Sequence, residues 1–288
     1  MKKFVATLAL LPLAFGLSAC GSTQTSAEDN KITIGVVGAD PVNEKLKEVA
    51  ADKGIDIEYK EFTDYTQPNP ALHNGDIDLN WFQHIAYLSN YNVEANDNLQ
   101  IVGPTVIYPM ALFSKKHTSV ADIPQGAEIA IPNDTVNEAR ALLLLKKNNL
   151  VTFTGNDIKS PSVDDIDTAQ SKVKVTPVDA AQTVLSLESV DASVINNDFI
   201  RDAKLNPKDA LAQDDPADDS AKPYVNLFVA QADDADNEKY KEIVELFHTP
   251  EVQAVVQEDT EGTAVEVNTD VKDLREALKK AEDEKRQS

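Results

Sequence analysis

A single cysteine, Cys20, stands in 288 residues, so neither an intrachain disulfide framework nor a cysteine-ligated zinc site is available. Basic residues are scarce: 27 Lys and Arg face 49 Asp and Glu, for a formal net charge of −22. Such a surface repels phosphate backbones and anionic lipid heads, which excludes nucleic-acid partners. No run of 18 or more apolar residues follows residue 20, which excludes a polytopic membrane protein. Neither G-x-x-x-x-G-K-[ST] nor G-x-G-x-x-G occurs, so the common phosphate-cradling loops are missing. There is no G-x-S-x-G elbow and no H-E-x-x-H pair. The four histidines, His73, His84, His117 and His248, lack metal-ligand spacing. Asp76, Asp78 and Asn80 resemble the first ligands of a calcium loop. Trp81, however, takes the position that needs glycine, and Tyr87 the place of the twelfth-position acid. No metal or cofactor is therefore expected. What remains is ordinary globular composition, 42% apolar and 26% charged, long enough for two domains or one large α/β unit.

The N-terminus reads as an address. Lys2 and Lys3 precede an apolar core over 4–17, broken by Pro12, and the small residues Ser18 and Ala19 precede Cys20. This is the layout of a secretory signal over 1–19. Leu17-Ser-Ala-Cys20 also resembles a bacterial lipobox, which implies cleavage before Cys20 and acylation of that residue. Loss of Lys2 and Lys3 takes the formal charge from −22 to −24. Several acyl chains hold a soluble domain at a membrane stably, where one is marginal. Residues 20–30 then form a polar, lipidated tether. The expected location is the cell membrane, on its extracytoplasmic side.

From Lys31 onward, strands alternate with helices, which predicts an α/β fold. Alternation over 31–37 and 55–59 brackets a helix that begins near Val42 and stops at Gly54, a β-α-β unit with parallel strands. A short helix follows near 70–73, then a strand at Ile77 and Leu79, a helix over 81–91 and a strand over 99–106. The rhythm restarts near 115. A short helix over 119–123 leads to a strand over 128–131 and a helix from Asn133 or Asp134 to about 149. The block Leu142 to Leu145 predicts that this last helix is buried on most sides. Strands at 173–178 and 192–195 flank a helix over 180–187. Residues 214–220, DDPADDS, read as a solvated acidic loop. A strand over 223–230 and one helix over 240–257 follow, and the charged end is a helix or frayed tail. No sequence repeat is evident. The restart and a return near 223 predict two lobes: 31–115 with 223–288, and 116–222 between them.

Large aromatics sit beside Asn, His or Arg at several strand ends: Phe62 to Tyr65, Asn80 to His84, Tyr108-Pro109, Pro132 to Arg140, Ile195 to Asn197 and Pro223 to Asn226. Ligands of open α/β sheets bind beyond the carboxyl ends of strands. The blocks Gly75-Asp-Ile-Asp-Leu-Asn-Trp-Phe-Gln-His84, Tyr108-Pro109, Ile131-Pro-Asn-Asp134 with Asn137 and Arg140, Val194-Ile-Asn196 and Pro223-Tyr-Val-Asn-Leu227 occur in that order. Together they resemble the methionine-binding lipoproteins of bacterial ABC importers. The resemblance implies a two-lobed periplasmic-binding-protein fold, type II-like, with the ligand cleft between the lobes. It implies delivery of methionine to a membrane permease driven by a separate ATPase. It places a ligand carboxylate on Arg140, its polar groups on Asn196 and Asn226, and its side chain against Tyr65, Phe82 and His84. Asn80, Trp81, Tyr108 and Asn137 lie in the same blocks and complete the expected site. Trp81 stands where the family commonly has a smaller residue; facing the cleft, it narrows the side-chain pocket. Thr135-Val136 replaces the usual Pro-Thr, and a charged tail replaces a glycine-rich finish.

The residues support a binder on their own terms. A guanidinium offers a carboxylate parallel donors, asparagine carbonyls accept from an ammonium, and a thioether packs well on aromatic rings. Another small amino acid or a methionine-containing dipeptide fits the same features. A secreted α/β hydrolase using an acid with His84 is the competing class, but no nucleophile motif supports it.

Overall fold

The computed structural model describes residues 31–155, 158–201 and 203–287. The expected signal segment, the tether and Cys20 lie outside the described residues. The chain runs β1 (Lys31–Val37), α1 (Pro41–Asp52), β2 (Asp56–Phe62), α2 (Pro68–His73), β3 (Leu79–His84), α3 (Ile85–Ala95), β4 (Gln100–Pro104) and β5 (Val106–Ile107). It continues through β6 (Ala111–Phe113), β7 (Glu128–Pro132), α4 (Thr135–Lys147), β8 (Lys174–Val178), α5 (Thr183–Ser186), β9 (Ala192–Ile195), α6 (Asn197–Ile200) and β10 (Ala212–Gln213). It closes with β11 (Asn226–Ala230), α7 (Glu238–Phe247), α8 (Pro250–Asp259), β12 (Val265–Glu266) and α9 (Val271–Gln287).

Two five-stranded sheets form the two lobes, in the orders β2-β1-β3-β11-β4 and β10-β6-β9-β7-β8. β1 pairs in parallel with β2 and β3, and β11 runs antiparallel to β3 and β4. In the second sheet β7 pairs in parallel with β8 and β9, and β6 runs antiparallel to β9 and β10. The two sheets therefore share one plan. First, second and third strands are parallel, and an antiparallel strand joins the third to the last. In each lobe that strand lies next to an inter-lobe crossing. The repeat is structural although the sequence shows none.

The first crossing spans residues 108–110, earlier than the boundary at 115 read from the rhythm. β6 pairs with β9, so Ala111 to Phe113 already belong to lobe two. The second crossing spans residues 214–225 and contains the expected return at 223. Two helix expectations also change. Residues 81–84 are strand, because β3 is the central strand of its sheet and every residue of it is buried between β1 and β11. The helix expected over 240–257 is two, split where Thr249 caps α8 and Pro250 occupies its first turn.

Helices cover both faces of the first sheet. On one side α1, α7 and α8 bury Leu46, Ile243, Phe247 and Val256 with Phe228 of β11. On the other, α2, α3 and α9 bury Leu72, Leu88, Leu274 and Leu278. The charged C-terminal segment is a docked helix. Leu274 and Leu278 are buried, on the order of 1.5–3 kcal/mol each. Arg275 donates from Nε to the Ile101 carbonyl at 2.8 Å, and from Nη2 to that of Ala235 at 3.0 Å. In lobe two, α4 packs its leucines against β7 and β9, and Leu142, Leu144 and Leu145 are buried while Leu143 is partly so. No helix among the described residues is long and apolar enough to cross a membrane.

Candidate functional site

The carboxyl ends of the parallel strands of both lobes converge on a small cavity of ≈ 30 Å³ between the lobes. Eight of the expected site residues line it: Tyr65, Phe82, His84 and Tyr108 among the aromatic rings, and Asn137, Arg140, Asn196 and Asn226 among the polar groups. Gln83, Tyr87, Pro109, Met110, Asn197 and Asp198 line it with them.

Lobe one supplies an aromatic wall. The Tyr65 ring lies 5.8 Å from Phe82 and 5.9 Å from Tyr87, and Phe82 lies 5.8 Å from Tyr87. His84 ends β3 and caps α3, its Nδ1 accepting the Tyr87 backbone N–H at 3.2 Å. That bond places the ring proton on Nε2, 3.4 Å from Asn137 Oδ1 of lobe two. Burial, and then the nearby Arg140 charge, push the His84 pKa down to about 3, so the imidazole is neutral.

Lobe two supplies hydrogen bonding. Asp134 caps α4 by accepting the Asn137 backbone N–H at 2.9 Å, and it also holds the Asn137 side-chain Nδ2. Asn137 Oδ1 is thereby turned to the cavity, where it takes Asn196 Nδ2 at 3.1 Å as well as His84. With its nitrogen so committed, Asn196 presents Oδ1, a buried oxygen with no partner. Burying such an acceptor unpaired costs about 1–3 kcal/mol. Asn133, one position before the cap, is exposed and stands apart from Asn137 and Arg140.

Arg140 is 5% exposed, and its guanidinium is already braced. Nε donates to Asp214 at 2.6 Å, Nη2 donates to the Tyr108 carbonyl at 2.9 Å, and the Tyr224 ring lies 4.0 Å from the guanidinium carbon. Asp214 thus leaves the solvated acidic loop in which the sequence placed it. Its side chain is 21% exposed. The lobes also meet directly. Tyr65 Oη donates to Asp198 at 2.7 Å, and Gly38, at φ +72°, lies close against the Asp198 backbone oxygen. A Cβ at Gly38 would stand 3.2 Å from that oxygen in a backbone region L-residues avoid. Burial raises the Asp198 pKa to about 7, despite the Tyr65 bond.

Trp81 and Asn80 do not line this cavity. Residues 81 and 82 together oppose Phe228 alone, a β-bulge between the Gln83–Leu227 and Asn80–Val229 pairs. The extra residue turns Phe82 toward the cleft and leaves Trp81 in the lobe-one core, 5.0 Å from Phe228 and 5.2 Å from Phe247. Trp81 borders instead a smaller void beside it, shared with Asp40, Phe82, Tyr108, Asp198 and Asn226. Asn80, fully buried, joins an amide cluster with Asn69 and Gln83, which ties α2 to β3. Of the residues not expected in the site, Asp198 follows Asn196 by two positions and Tyr87 follows His84 by three on α3, so proximity to a named residue was their only signal. Asp214 had none, lying in a run of acids.

Two α/β lobes of one topology, joined twice and enclosing a polar-aromatic cavity, define a two-lobed substrate-binding protein. The sequence model of the NlpA lipoprotein family matches residues 31–268. The chain belongs to that family. It is 36% identical over 269 residues to the D-methionine-binding lipoprotein MetQ of Escherichia coli K12, covering 91% of this chain and 98% of that one. Protein PG110 of Staphylococcus aureus superimposes with a TM-score of 0.81 at 38% identity, over 87% of this chain and 99% of that chain. A nutrient-binding protein of Burkholderia cenocepacia, solved bound to methionine, gives 0.75 at 37% identity, over 82% and 99%.

Proposed function

We propose that this protein is the lipid-anchored, extracytoplasmic capture component of a bacterial methionine importer, passing its ligand to a permease driven by a separate ATPase. It works by binding and closing, and makes or breaks no bond. One observation carries the reading: the inter-lobe cavity sets a braced guanidinium and an unfilled carbonyl acceptor beside an aromatic wall. The 36% identity to a D-methionine-binding lipoprotein supports it.

The Nη donors of Arg140 not used by Tyr108 take the ligand carboxylate. Asn196 Oδ1, with Asn226, accepts from the ammonium. Tyr65, Phe82 and Tyr87 enclose the thioether, whose sulfur gains about 0.3–1.5 kcal/mol per ring contact. Neutral His84 adds no second positive charge beside Arg140 or the ammonium. Tyr108 and Asn137 hold these groups rather than select among ligands. Cys20 carries the acyl anchor.

Calorimetric titration with L- and D-methionine, a methionine dipeptide and other amino acids tests the assignment. Saturable methionine binding without product is expected. Silence toward methionine, or a clear preference for an unrelated ligand, removes it; ligand conversion points to an enzyme. For the anchor, Cys20→Ser should release the protein into the soluble fraction with its binding intact, whereas full membrane retention would show another attachment.

A further inference from the structure

Both inter-lobe crossings converge on one side chain. The first crossing gives Arg140 the Tyr108 carbonyl, and the second gives it Asp214 and the face of Tyr224. Asp214 also binds the first crossing itself. Its Oδ1 accepts the Met110 backbone N–H at 2.8 Å, and its own N–H donates to the Met110 carbonyl at 3.1 Å. This pair extends the β10–β6 ladder by one step, beyond the Gln213–Ala111 pairing. Asp214 is thus fixed by backbone on one side and fixes Arg140 on the other.

From this geometry we infer that Asp214 is a positioning residue for carboxylate recognition, one that ties Arg140 to both hinge segments. The inference rests on the proposed capture of an amino acid. A guanidinium has five N–H donors in a rigid plane. Asp214 takes Nε and Tyr108 takes one hydrogen of Nη2, while Tyr224 covers one face. The remaining Nη hydrogens are the donors Arg140 has left for the cavity it lines. A free arginine would have to order its long side chain when ligand binds, and here that order exists beforehand. Because the same brace joins residues 108–110 to 214–225, any rotation of the crossings moves the Arg140 edge with them. Carboxylate capture and lobe closure are thereby coupled through one carboxylate that does not touch the ligand.

The test compares wild type, Asp214→Asn and Asp214→Ala in two measurements. The first is the ratio of affinities for methionine and methioninamide, which lacks the carboxylate. A positioning role predicts that Asp214→Ala weakens methionine by about 10–100-fold, the range seen when a partner that orients a metal ligand is lost. Methioninamide should change little, so the ratio collapses. A merely structural role weakens both ligands alike and overturns the inference. Asp214→Asn keeps an acceptor and should recover part of the ratio. The second measurement needs no ligand: hydrogen exchange of the Arg140 Nε–H by nuclear magnetic resonance. It should be slow in wild type and fast in Asp214→Ala; equal exchange overturns the brace. If wild type fails to bind methionine, the proposed function falls, while the exchange measurement still decides whether Asp214 positions Arg140.

Discussion

The two lobes share a strand plan and differ in what that plan presents to the cleft. In both, a helix follows the first strand and is capped by an aspartate three residues before an asparagine, Asp40 and Asn43 in α1, Asp134 and Asn137 in α4. Three residues further, lobe one has Leu46, wholly buried in its core, and lobe two has Arg140, lining the cavity. After the third strand, lobe one places His84 at the helix cap and lobe two places Asn196. The backbone plan fixes where a residue can face the cleft. Identity at those few positions makes one wall aromatic and the other hydrogen-bonding, and it takes both to hold a zwitterion with an apolar tail.

The sharpest way to break this comparison is to make lobe two resemble lobe one at the divergent position. Arg140→Met gives α4 an apolar residue where α1 has Leu46. Asp214 loses its charge partner but keeps the Met110 backbone N–H, and at 21% side-chain exposure its other oxygen rehydrates, so the fold should survive. Methionine affinity should fall by about 2–5 kcal/mol, as for losing one partner of a buried charge pair, which is roughly 30-fold to several-thousand-fold in Kd. Methionine methyl ester should bind wild type and variant with similar weakness. Wild-type affinity for methionine in the folded variant would remove Arg140 from the site. Next in size is Asn196→Ala, which deletes the unpaired acceptor that Asn137 aims at the cavity. Binding should weaken by about 1.5–3 kcal/mol, the worth of a hydrogen bond to a charged group. Because Asn196 Oδ1 is unsatisfied without ligand, the melting temperature of the empty variant should hold or rise. A drop in melting temperature with unchanged affinity would make Asn196 a structural residue.

Much of this was legible before any coordinates. Alternation and glycine stops marked β1, α1 and β2, and the Asp134 cap and leucine block marked α4, because those elements bury one clear face each. Eight cavity residues were nameable because they lie at strand ends or on α4 and carry unusual chemistry for a turn. The failures share a cause: they depend on pairing partners far away in sequence. Residues 81–84 looked helical because a central strand buried on both faces loses its period of two. The bulge opposite Phe228, which separates Trp81 from Phe82, is a property of two strands and not of one. Asp214 is indistinguishable from its acidic neighbours until β10 pairs with β6.

A smaller effect distinguishes the walls by pH. His84 of lobe one and Asp198 of lobe two are both pushed toward their neutral forms by burial, which shifts their pKa values in opposite directions. His84 drops from 6.5 to about 3, so its contribution to stability is complete above about pH 6.5 and is lost as pH falls toward 3. Asp198 rises from 3.8 to about 7, so its contribution is complete below about pH 4 and is lost as pH climbs through 7. Between those limits the two slopes oppose each other, each at most about 1.4 kcal/mol per pH unit. Relative to wild type, Asp198→Asn should gain stability with rising pH across this window, and His84→Gln should lose it. Urea unfolding in steps from pH 4 to 7 reads both; parallel curves for all three proteins would mean that neither group titrates as its surroundings dictate.

The smallest expected effect concerns the one tryptophan, and it tests whether the lobes move as bodies. Trp81 lies within an aromatic-rich block, and a cleft position would make its emission an obvious reporter of closure. Its surroundings say otherwise. The ring is 6% exposed and packs between Phe228 of β11 and Phe247 of α7, both in the same lobe. Hinge motion leaves such internal packing unchanged, because a close-packed core is not continuously deformable. Ligand saturation should therefore leave the wild-type emission maximum nearly fixed. Tyr65 occupies the opposite situation: its hydroxyl reaches Asp198 and its ring lies 5.2 Å from Phe199, both across the cleft. In a Trp81→Phe background, Tyr65→Trp should shift its emission on saturation, because closure changes what surrounds that ring. A large ligand-induced shift from Trp81 in the wild type would mean that the core of lobe one rearranges, and that two rigid walls closing on a ligand is the wrong description.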